Sequence, residues 1–415
     1  MAAMAQRPGP NPVLASLASR PLVGSVIDKS TTLLAGQTHD IVRFAMGAPG
    51  DDLIPVDLLD KYMGQPEPGK YAYGATEGEP ELVEQIIGHF APHAAGHPER
   101  ITVTTGAMQG LDLAFKLFVD PGDLVVVEGP TYTNGSATAL AYNAEVVEVP
   151  VDGEGLVTDA LEEIVAQRGQ VPKVIYTVPN FQNPSGVTLS HRRRVRLVEL
   201  AEQWGSVIVD DDPYGELRFD GEPVPSFHEI GPDNPLVFSV RTFSKTIAPG
   251  LRIGWVDADP SLSETLINAR QAMDTCASPA VQLAVTRFLR NGHFSGHRDR
   301  VLGLYRERKN AMIAAVERHF GDRAECTNPD GGFFLWLTLT GEAATVDTEE
   351  LFEPALADGV VYIPGPAFSP AGNFRDSLRL CFATSDPERI DEGIRRLAQT
   401  IDRVSGRMGV GEVHV

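Results

Sequence analysis

A single lysine, Lys245, stands inside the polar stretch SVRTFSKTIAPGLRIGW (239–255), with Arg252 seven residues further on. A lysine amine kept partly neutral can add to a carbonyl carbon or carry a proton between carbon atoms. The hydroxyls of Thr242 and Ser244, together with the Arg252 guanidinium, can hold an anion beside it. The stretch lies between two apolar runs, PLVFSV (235–240) and LRIGWV (251–256), each of which reads as a strand. A polar loop at the end of a strand in an α/β sheet is where such proteins place ligands.

Three other strand ends carry polar groups of complementary kinds. TTGAMQG (104–110) ends an apolar run and opens a helix, so the backbone N–H groups of Gly106, Ala107 and Met108 face outward, ready for an anion. Most strand–Gly–helix turns bind nothing, so this signal means little alone. YTVPNFQNPSG (176–186) ends with Asn183 ahead of Pro184, which also reads as a plain turn. VIVDDDPYGEL (207–217) sets three carboxylates directly after an apolar strand, with Tyr214 three residues past Asp211. A solvated acidic turn is the plain alternative, but the Pro-Tyr-Gly that follows at once favours a shaped site. Inside a cleft, however, such a carboxylate is costly unless a cation meets it. Pyridoxal 5′-phosphate requires this whole set: donors for its phosphate, a carboxylate for its ring nitrogen, hydrogen bonds for its ring oxygen and an amine for its aldehyde.

The elements that position these groups alternate. From RITVTTG onward, strands (DLVVVEGP, AEVVEVPV, KVIYTVP, SVIVDDDP) are separated by helices (107–119, 159–169 and RRRVRLVELAEQWG). Short apolar strands spaced by helices predict an α/β fold with a mainly parallel sheet covered on both faces. After about residue 290 the texture changes to a long charged helix, then strand-like GGFFLWLTL and SLRLCFAT, then a closing helix DPERIDEGIRRLAQTIDRV. The expected organisation is an arm over 1–45 with a short helix, a large domain over 46–291, a smaller α+β domain over 292–405, and a Gly-rich tail over 406–415.

At 415 residues the chain can build two domains. Its 35 basic against 56 acidic residues give a net charge of −21, which disfavours nucleic acid and anionic membrane as partners. Cys276, Cys326 and Cys381 are odd in number and far apart, which points to a reducing cytoplasmic setting without a disulfide framework. The ten histidines show no metal-ligand spacing, so no metal is expected. The N-terminus lacks a signal-peptide pattern, and no apolar run approaches the ~20 residues that span a bilayer.

The ordered series Asn183-Pro-Ser-Gly, Asp211-Asp-Pro-Tyr214, Ser244-Lys245 and Arg252, closed by LRLCF with Arg379, resembles the fold-type I pyridoxal-phosphate-dependent aminotransferases of class I and II. Within these it is similar to the branch of 2-aminoadipate (LysN-type) and kynurenine aminotransferases, whose catalytic domain also occurs in MocR-type regulators. The resemblance runs from about 43 to 400. It implies that Lys245 bonds the cofactor aldehyde and later moves the proton, and that Asp211 pairs with the ring nitrogen. It further implies that Tyr214 and Asn183 bond the ring oxygen, and that Tyr132 of EGPTYTN stacks on the ring. Gly106, Ala107, Met108, Thr242, Ser244 and Arg252 would hold the phosphate. Tyr73 of YAYGATEG would reach the phosphate of a second subunit, which implies a homodimer with shared sites. Arg379 would grip the substrate α-carboxylate, with Asn183 and Gly47 beside it.

Two departures stand out. Gly106-Ala107-Met108 replaces the family's Gly-Ser-Gln, so the phosphate grip would lean on backbone N–H groups and Arg252. In the arm, GSVIDKS (24–30) carries Asp28 where the branch has a substrate-recognising arginine, which would disfavour acidic side chains. The expected activity is transfer of an α-amino group from an L-amino acid with a neutral, aromatic or basic side chain to a 2-oxo acid. A β-lyase, racemase or decarboxylase could use the same groups. A cofactor-sensing transcription regulator is the remote reading, because only about 42 residues precede RFAMGAPG and the net charge opposes DNA.

Overall fold

Runs of β-branched residues build the centre of the molecule. In the computed structural model, which describes residues 39–411 with side chains to Gly406, the strands in chain order are β1 (Val42–Arg43), β2 (Ile101–Thr104), β3 (Leu124–Gly129), β4 (Glu145–Asp152), β5 (Gly155–Leu156), β6 (Val174–Thr177), β7 (Val207–Asp211), β8 (Val237–Thr242) and β9 (Gly254–Asp257). They continue with β10 (Ala324–Cys326), β11 (Phe334–Leu339), β12 (Val360–Val361), β13 (Ile363–Pro364) and β14 (Ser377–Cys381). Every residue of β2, β3, β6 and β7 is buried. Apolar character on both faces of these strands is what helices packed above and below a parallel sheet require.

The main sheet has eight strands in the order β2-β9-β8-β7-β6-β3-β4-β5. The β3–β4, β3–β6, β6–β7 and β7–β8 pairs are parallel, as expected. β9 runs antiparallel to both β8 and β2. The chain reverses ahead of β9 through a short 3-10 turn, Pro249–Leu251, followed by Arg252 at φ 51. The strand anticipated from 251 therefore starts only at Gly254, and the left-handed backbone turns the Arg252 side chain back toward the sheet edge.

Helix Ala107–Phe118 follows β2 and buries Leu111, Ala114 and Phe115 against the sheet. Burial of a side chain of this size is worth about 1.5–3 kcal/mol. Helices Val56–Gly64, Pro80–Phe90, Thr133–Ala141, Phe227–Ile230, Ser263–Gln271 and Pro279–Arg290 also belong to this part of the molecule and are not marked by the sequence pattern.

A second, antiparallel sheet has the order β10-β11-β14-β13. The long helices His293–Phe320 and Pro387–Gly411 pack together beside it. Arg379 sits in the middle of β14, opposite Trp336 and Ile363. The two residues of β1 pair in parallel with β12, and Phe44 O accepts from Cys381 N at 2.9 Å. Further along, Asp52 meets Arg308 at 2.7 Å. These bonds fix the segment from 42 to 53 along the second sheet, and so deliver Gly47 to the space between the two sheets.

Candidate active site

The C-terminal ends of β2, β3, β6, β7 and β8 converge at one edge of the main sheet. Between that edge and β11 and β14 lies a cavity lined by Gly47, Ala107, Met108, Tyr132, Asn183 and Asp211, with Tyr214, Thr242, Ser244, Lys245, Arg252 and Arg379 completing the polar set. Asn183, Asp211, Tyr214, Lys245 and Arg252 stand out from their places at strand ends, and Gly47, Tyr132 and Arg379 from the resemblance; the fold draws them together from positions 47 to 379. Leu111, Val178, Pro213, Pro249 and Phe334 add apolar wall, and Asn134 adds an amide. Gly106 is not part of the lining, and Tyr73 is not either: it is 87% exposed. Asp28 lies outside the described residues.

Lys245 is partly buried, and its Nζ donates to Gly47 O at 2.7 Å. Burial, then the nearby Arg379 charge, lowers its amine to about 8. A substantial neutral fraction is therefore present near neutral pH, as a nucleophile or base requires. Asp211 is 2% exposed; one oxygen, Oδ2, accepts from Tyr176 Oη at 2.8 Å. Its other oxygen, Oδ1, is buried without a hydrogen-bond partner. Burial raises this carboxyl to about 7, opposed by the Tyr176 hydrogen bond and the Arg241 charge.

The anion end is built around Gly106. Its φ of 80 and the Arg252 guanidinium, whose Nη2 would lie 2.4 Å from an added Cβ, leave room for glycine alone. Arg252 reaches Ser244 Oγ at 3.4 Å and Thr105 O at 3.4 Å. Thr242 Oγ1 lies 2.9 Å from Ser244 Oγ and accepts from Ser244 N at 3.1 Å. With the first N–H groups of helix Ala107–Phe118, these donors form one cup. Met108 brings no donor: its Sδ accepts from Tyr132 Oη at 3.7 Å. Gln109 does not substitute: its Oε1 accepts from Thr105 N at 2.8 Å and its amide donates to the Asp274 carboxylate.

At the opposite end Arg379 is 1% exposed and lies against the Phe334 ring, its Cζ 4.1 Å from the ring centroid. It donates to Asn183 Oδ1 at 2.9 Å and to Ala45 O at 2.7 Å, while its Nε has no partner. A guanidinium stacked on a ring in the cavity wall, with one N–H unpartnered, suits a carboxylate.

The residues of the chain itself fit pyridoxal phosphate. Asp211 Oδ1 is an orphaned buried acceptor where a protonated ring nitrogen needs one, the cup supplies phosphate donors, and Lys245 supplies the amine. The comparisons agree. Residues 67–397 match the family described as Aminotransferase class I and II.

The chain belongs to the class I and II aminotransferases.

Among its relatives this aminotransferase is 36% identical, over 88% of its own length and 89% of the other, to the aromatic-amino-acid aminotransferase 1 of Thermococcus litoralis. It is 34% identical to the 2-aminoadipate transaminase of Thermus thermophilus, over 88% of this chain and 91% of that one. Among solved structures it is similar to LysN, the alpha-aminoadipate aminotransferase of Thermus thermophilus complexed with N-(5′-phosphopyridoxyl)-L-leucine, with a TM-score of 0.86, 32% identity, and coverage of 95% and 98%. The fold-type I architecture and pyridoxal phosphate as cofactor therefore hold for this chain, and its activity is amino transfer.

Two buried groups beside the cavity went unnoticed in the sequence. Tyr176 was read only as strand, although the hydroxyl of a buried tyrosine needs a partner. Glu128 ends the apolar run of β3 just as Asp211 ends that of β7. It accepts from Thr177 Oγ1 at 2.6 Å and from Gln182 Nε2 at 3.1 Å, and burial raises it to about 7. Gln182 in turn accepts from Ser185 N at 2.9 Å, so Glu128 anchors the turn that carries Asn183.

Proposed function

We propose that this aminotransferase takes the α-amino group of an L-amino acid with a neutral, aromatic or basic side chain and passes it to a 2-oxo acid in two half-reactions. The observation that carries the side-chain class is the charge of the lining. Among the described residues that line the cavity, the cations are Lys245, Arg252 and Arg379, and each has a task. Arg252 belongs to the anion cup, Lys245 to proton transfer, and Arg379 to the α-carboxylate. An acidic side chain would find apolar wall (Leu111, Val178, Phe334) and no further counter-charge there.

Pyridoxal phosphate supplies an aldehyde that captures the amino group and a ring that takes up the electron pair left when Cα loses its proton. The chain does the rest. Lys245 Nζ would take the proton from substrate Cα and deliver it to the carbon that the aldehyde supplied, on the far side of the amino nitrogen, its lowered pKa keeping it able to do both. Asp211 Oδ1 would accept from the ring nitrogen and keep it protonated. Tyr214, buried edge-on to Phe333 and Phe334, and Asn183 would bond the ring oxygen, while Tyr132 would cover a ring face. Arg379, Asn183 and Gly47 orient the α-carboxylate. Thr242, Ser244, Arg252 and the N–H groups at Gly106, Ala107 and Met108 hold the phosphate.

The working unit we propose is a homodimer in which Tyr73 completes the site of a second copy. Its support is that Tyr71 and Tyr73 are 89% and 87% exposed on one loop, an unusual exposure for two aromatic rings. Within each subunit the large domain would span 46–291 and the small one 292–405. The cytoplasm is the proposed compartment, because all three cysteines are free thiols. No described helix is long and apolar enough to cross a membrane.

The test is a panel of amino acids added singly to the yellow protein without any oxo acid. Neutral, aromatic or basic donors should bleach the visible band and leave the oxo acid of the donor in solution. If 2-aminoadipate outperforms all of them by a wide margin, the side-chain class is wrong. If ammonia and pyruvate form from cysteine conjugates with no oxo acid present, the lyase chemistry is the better description.

A further inference from the structure

Three consecutive aspartates end β7, and their neighbours decide what each does. Asp210 accepts from Ser239 Oγ and Arg241 Nη2, both at 2.7 Å, and Asp212 accepts from Asn180 at 2.8 Å. Asp211 alone lines the cavity. On β6, the neighbouring strand, Tyr176 is fully buried and its Oη donates to Asp211 Oδ2 at 2.8 Å. Among the described residues Oδ1 has no partner; Oδ1 of Asp210 and of Asp212 has none either, but of the three only Asp211 lines the cavity. The phenol restricts rotation of the Asp211 carboxylate and leaves its other oxygen for a ligand.

We propose that Tyr176 is a positioning residue of this site: its phenol pins Asp211 Oδ2 so that Oδ1 is presented to the protonated ring nitrogen of pyridoxal phosphate. The inference rests on the reading of Asp211 as the partner of that nitrogen.

An independent feature points the same way. Helix Thr133–Ala141 passes directly over the phenol, and a Cβ built at Gly135 would lie 2.4 Å from both Cζ and Oη of Tyr176. The helix can approach this closely only because position 135 has no side chain, and its approach leaves the hydroxyl no other rotamer to explore. Phe115 holds the other side of the ring, with centroids 6.3 Å apart. The phenol remains a donor over the working pH range, since burial and the Asp211 charge raise it well above its ordinary value.

The groups acting on Asp211 are opposed. Burial and the charges of Asp210 and Asp212 raise its carboxyl, while the Tyr176 hydrogen bond and the Arg241 charge lower it. Glu128 lies close enough for repulsion, and Lys245 is near enough for attraction. Loss of the phenol removes one of the two lowering influences and leaves the carboxyl protonated over more of the neutral range, unable to accept the proton-bearing nitrogen.

Tyr176→Phe keeps the ring and removes the donor. Cofactor-free protein titrated with pyridoxal phosphate, with protein fluorescence as the readout, should bind about tenfold more weakly, the usual scale for a lost hydrogen bond to a charged group. The acid-side midpoint of the visible band should move to higher pH. Gly135→Ala should reproduce both effects, because it displaces the same hydroxyl. Asp211→Asn should weaken binding further, and adding Tyr176→Phe to it should change nothing more. If Tyr176→Phe binds within twofold of the parent with an unmoved midpoint while Asp211→Asn is weakened, Tyr176 has no positioning role. If Asp211→Asn itself binds like the parent, the reading of Asp211 falls and this inference with it.

Discussion

Two ends of the same sheet bury ionisable groups in opposite ways. At the cavity edge, Asp211 Oδ1 and Arg379 Nε are buried with no partner among the described residues. At the far end, Asp257 of β9 accepts from His93 Nε2 at 2.6 Å and Arg100 Nε at 3.0 Å, and Arg100 Nη2 reaches His228 Nδ1 at 3.3 Å. His93 and His228 stack with centroids 4.7 Å apart, and His228 Nε2, without a hydrogen-bond partner among the described residues, lies 3.7 Å from Asp257 Oδ1. This far cluster gathers two histidines and a carboxylate as a metal site would, but the Arg100 guanidinium already stands there as the cation. Burial alone would raise the Asp257 carboxyl, yet the His93 hydrogen bond and the charges of His228, His93 and Arg100 hold it below its ordinary value. A buried group that neighbours satisfy serves the fold; one left with an open valence beside a cavity serves a ligand.

Substitutions at the two ends should separate along that line. Lys245→Ala should cost the largest effect, a loss of turnover on the order of 10⁴-fold, with the thermal midpoint little changed. Turnover near the parent's would break the account of the cavity outright. Asp257→Asn should do the reverse: stability to urea falls by about 3–5 kcal/mol because Arg100 is left buried without its anion, while kcat of the folded fraction holds. Equal losses of activity at both ends would erase the contrast.

Arg379→Lys keeps the charge but removes the planar fork. KM for the amino acid should rise about a hundredfold, with a smaller change in cofactor affinity. An unchanged KM would assign the α-carboxylate to another group.

The smallest effect is a difference in slope. His228 is lowered from 6.5 to about 4, mainly by burial, so the unfolded chain binds that proton first. Between those values its contribution makes stability rise with pH, by at most about 1.4 kcal/mol per unit. Asp211 is raised from 3.8 to about 7, so in the cofactor-free protein the folded chain holds the extra proton and stability falls as pH rises across that window. His228→Gln should therefore flatten the rise with pH, and Asp211→Asn should steepen it. Urea melts at several pH values measure both. Slopes that move in the same direction would contradict the assignment.

Much of the cavity was legible because its residues follow strand ends, where a polar group after an apolar run stands out. Asn183, Asp211, Lys245 and Arg252 were visible on that ground, and Arg379 through the resemblance. Tyr176 was not: inside VIYT it scores as one more strand-forming side chain, and its hydroxyl gains meaning only from Asp211 on the next strand. Glu128 carried the same signal as Asp211 and was passed over. Helix Pro80–Phe90 was missed despite Leu82, Val83 and Ile86 at helical spacing, and β9 was assigned without its direction, which a strand's composition does not encode.

The sequence by itself determined the alternation of strands and helices from β2 to β8, the mainly parallel sheet and the chemical identity of the groups at the strand ends, because periodicity and turn chemistry are local. Only the tertiary structure decided which carboxylate is aimed and which is neutralised. Asp211 and Asp257 both end buried strands, and what separates them is whether the neighbour across the sheet is a phenol that ties one oxygen or an arginine and histidine that occupy both.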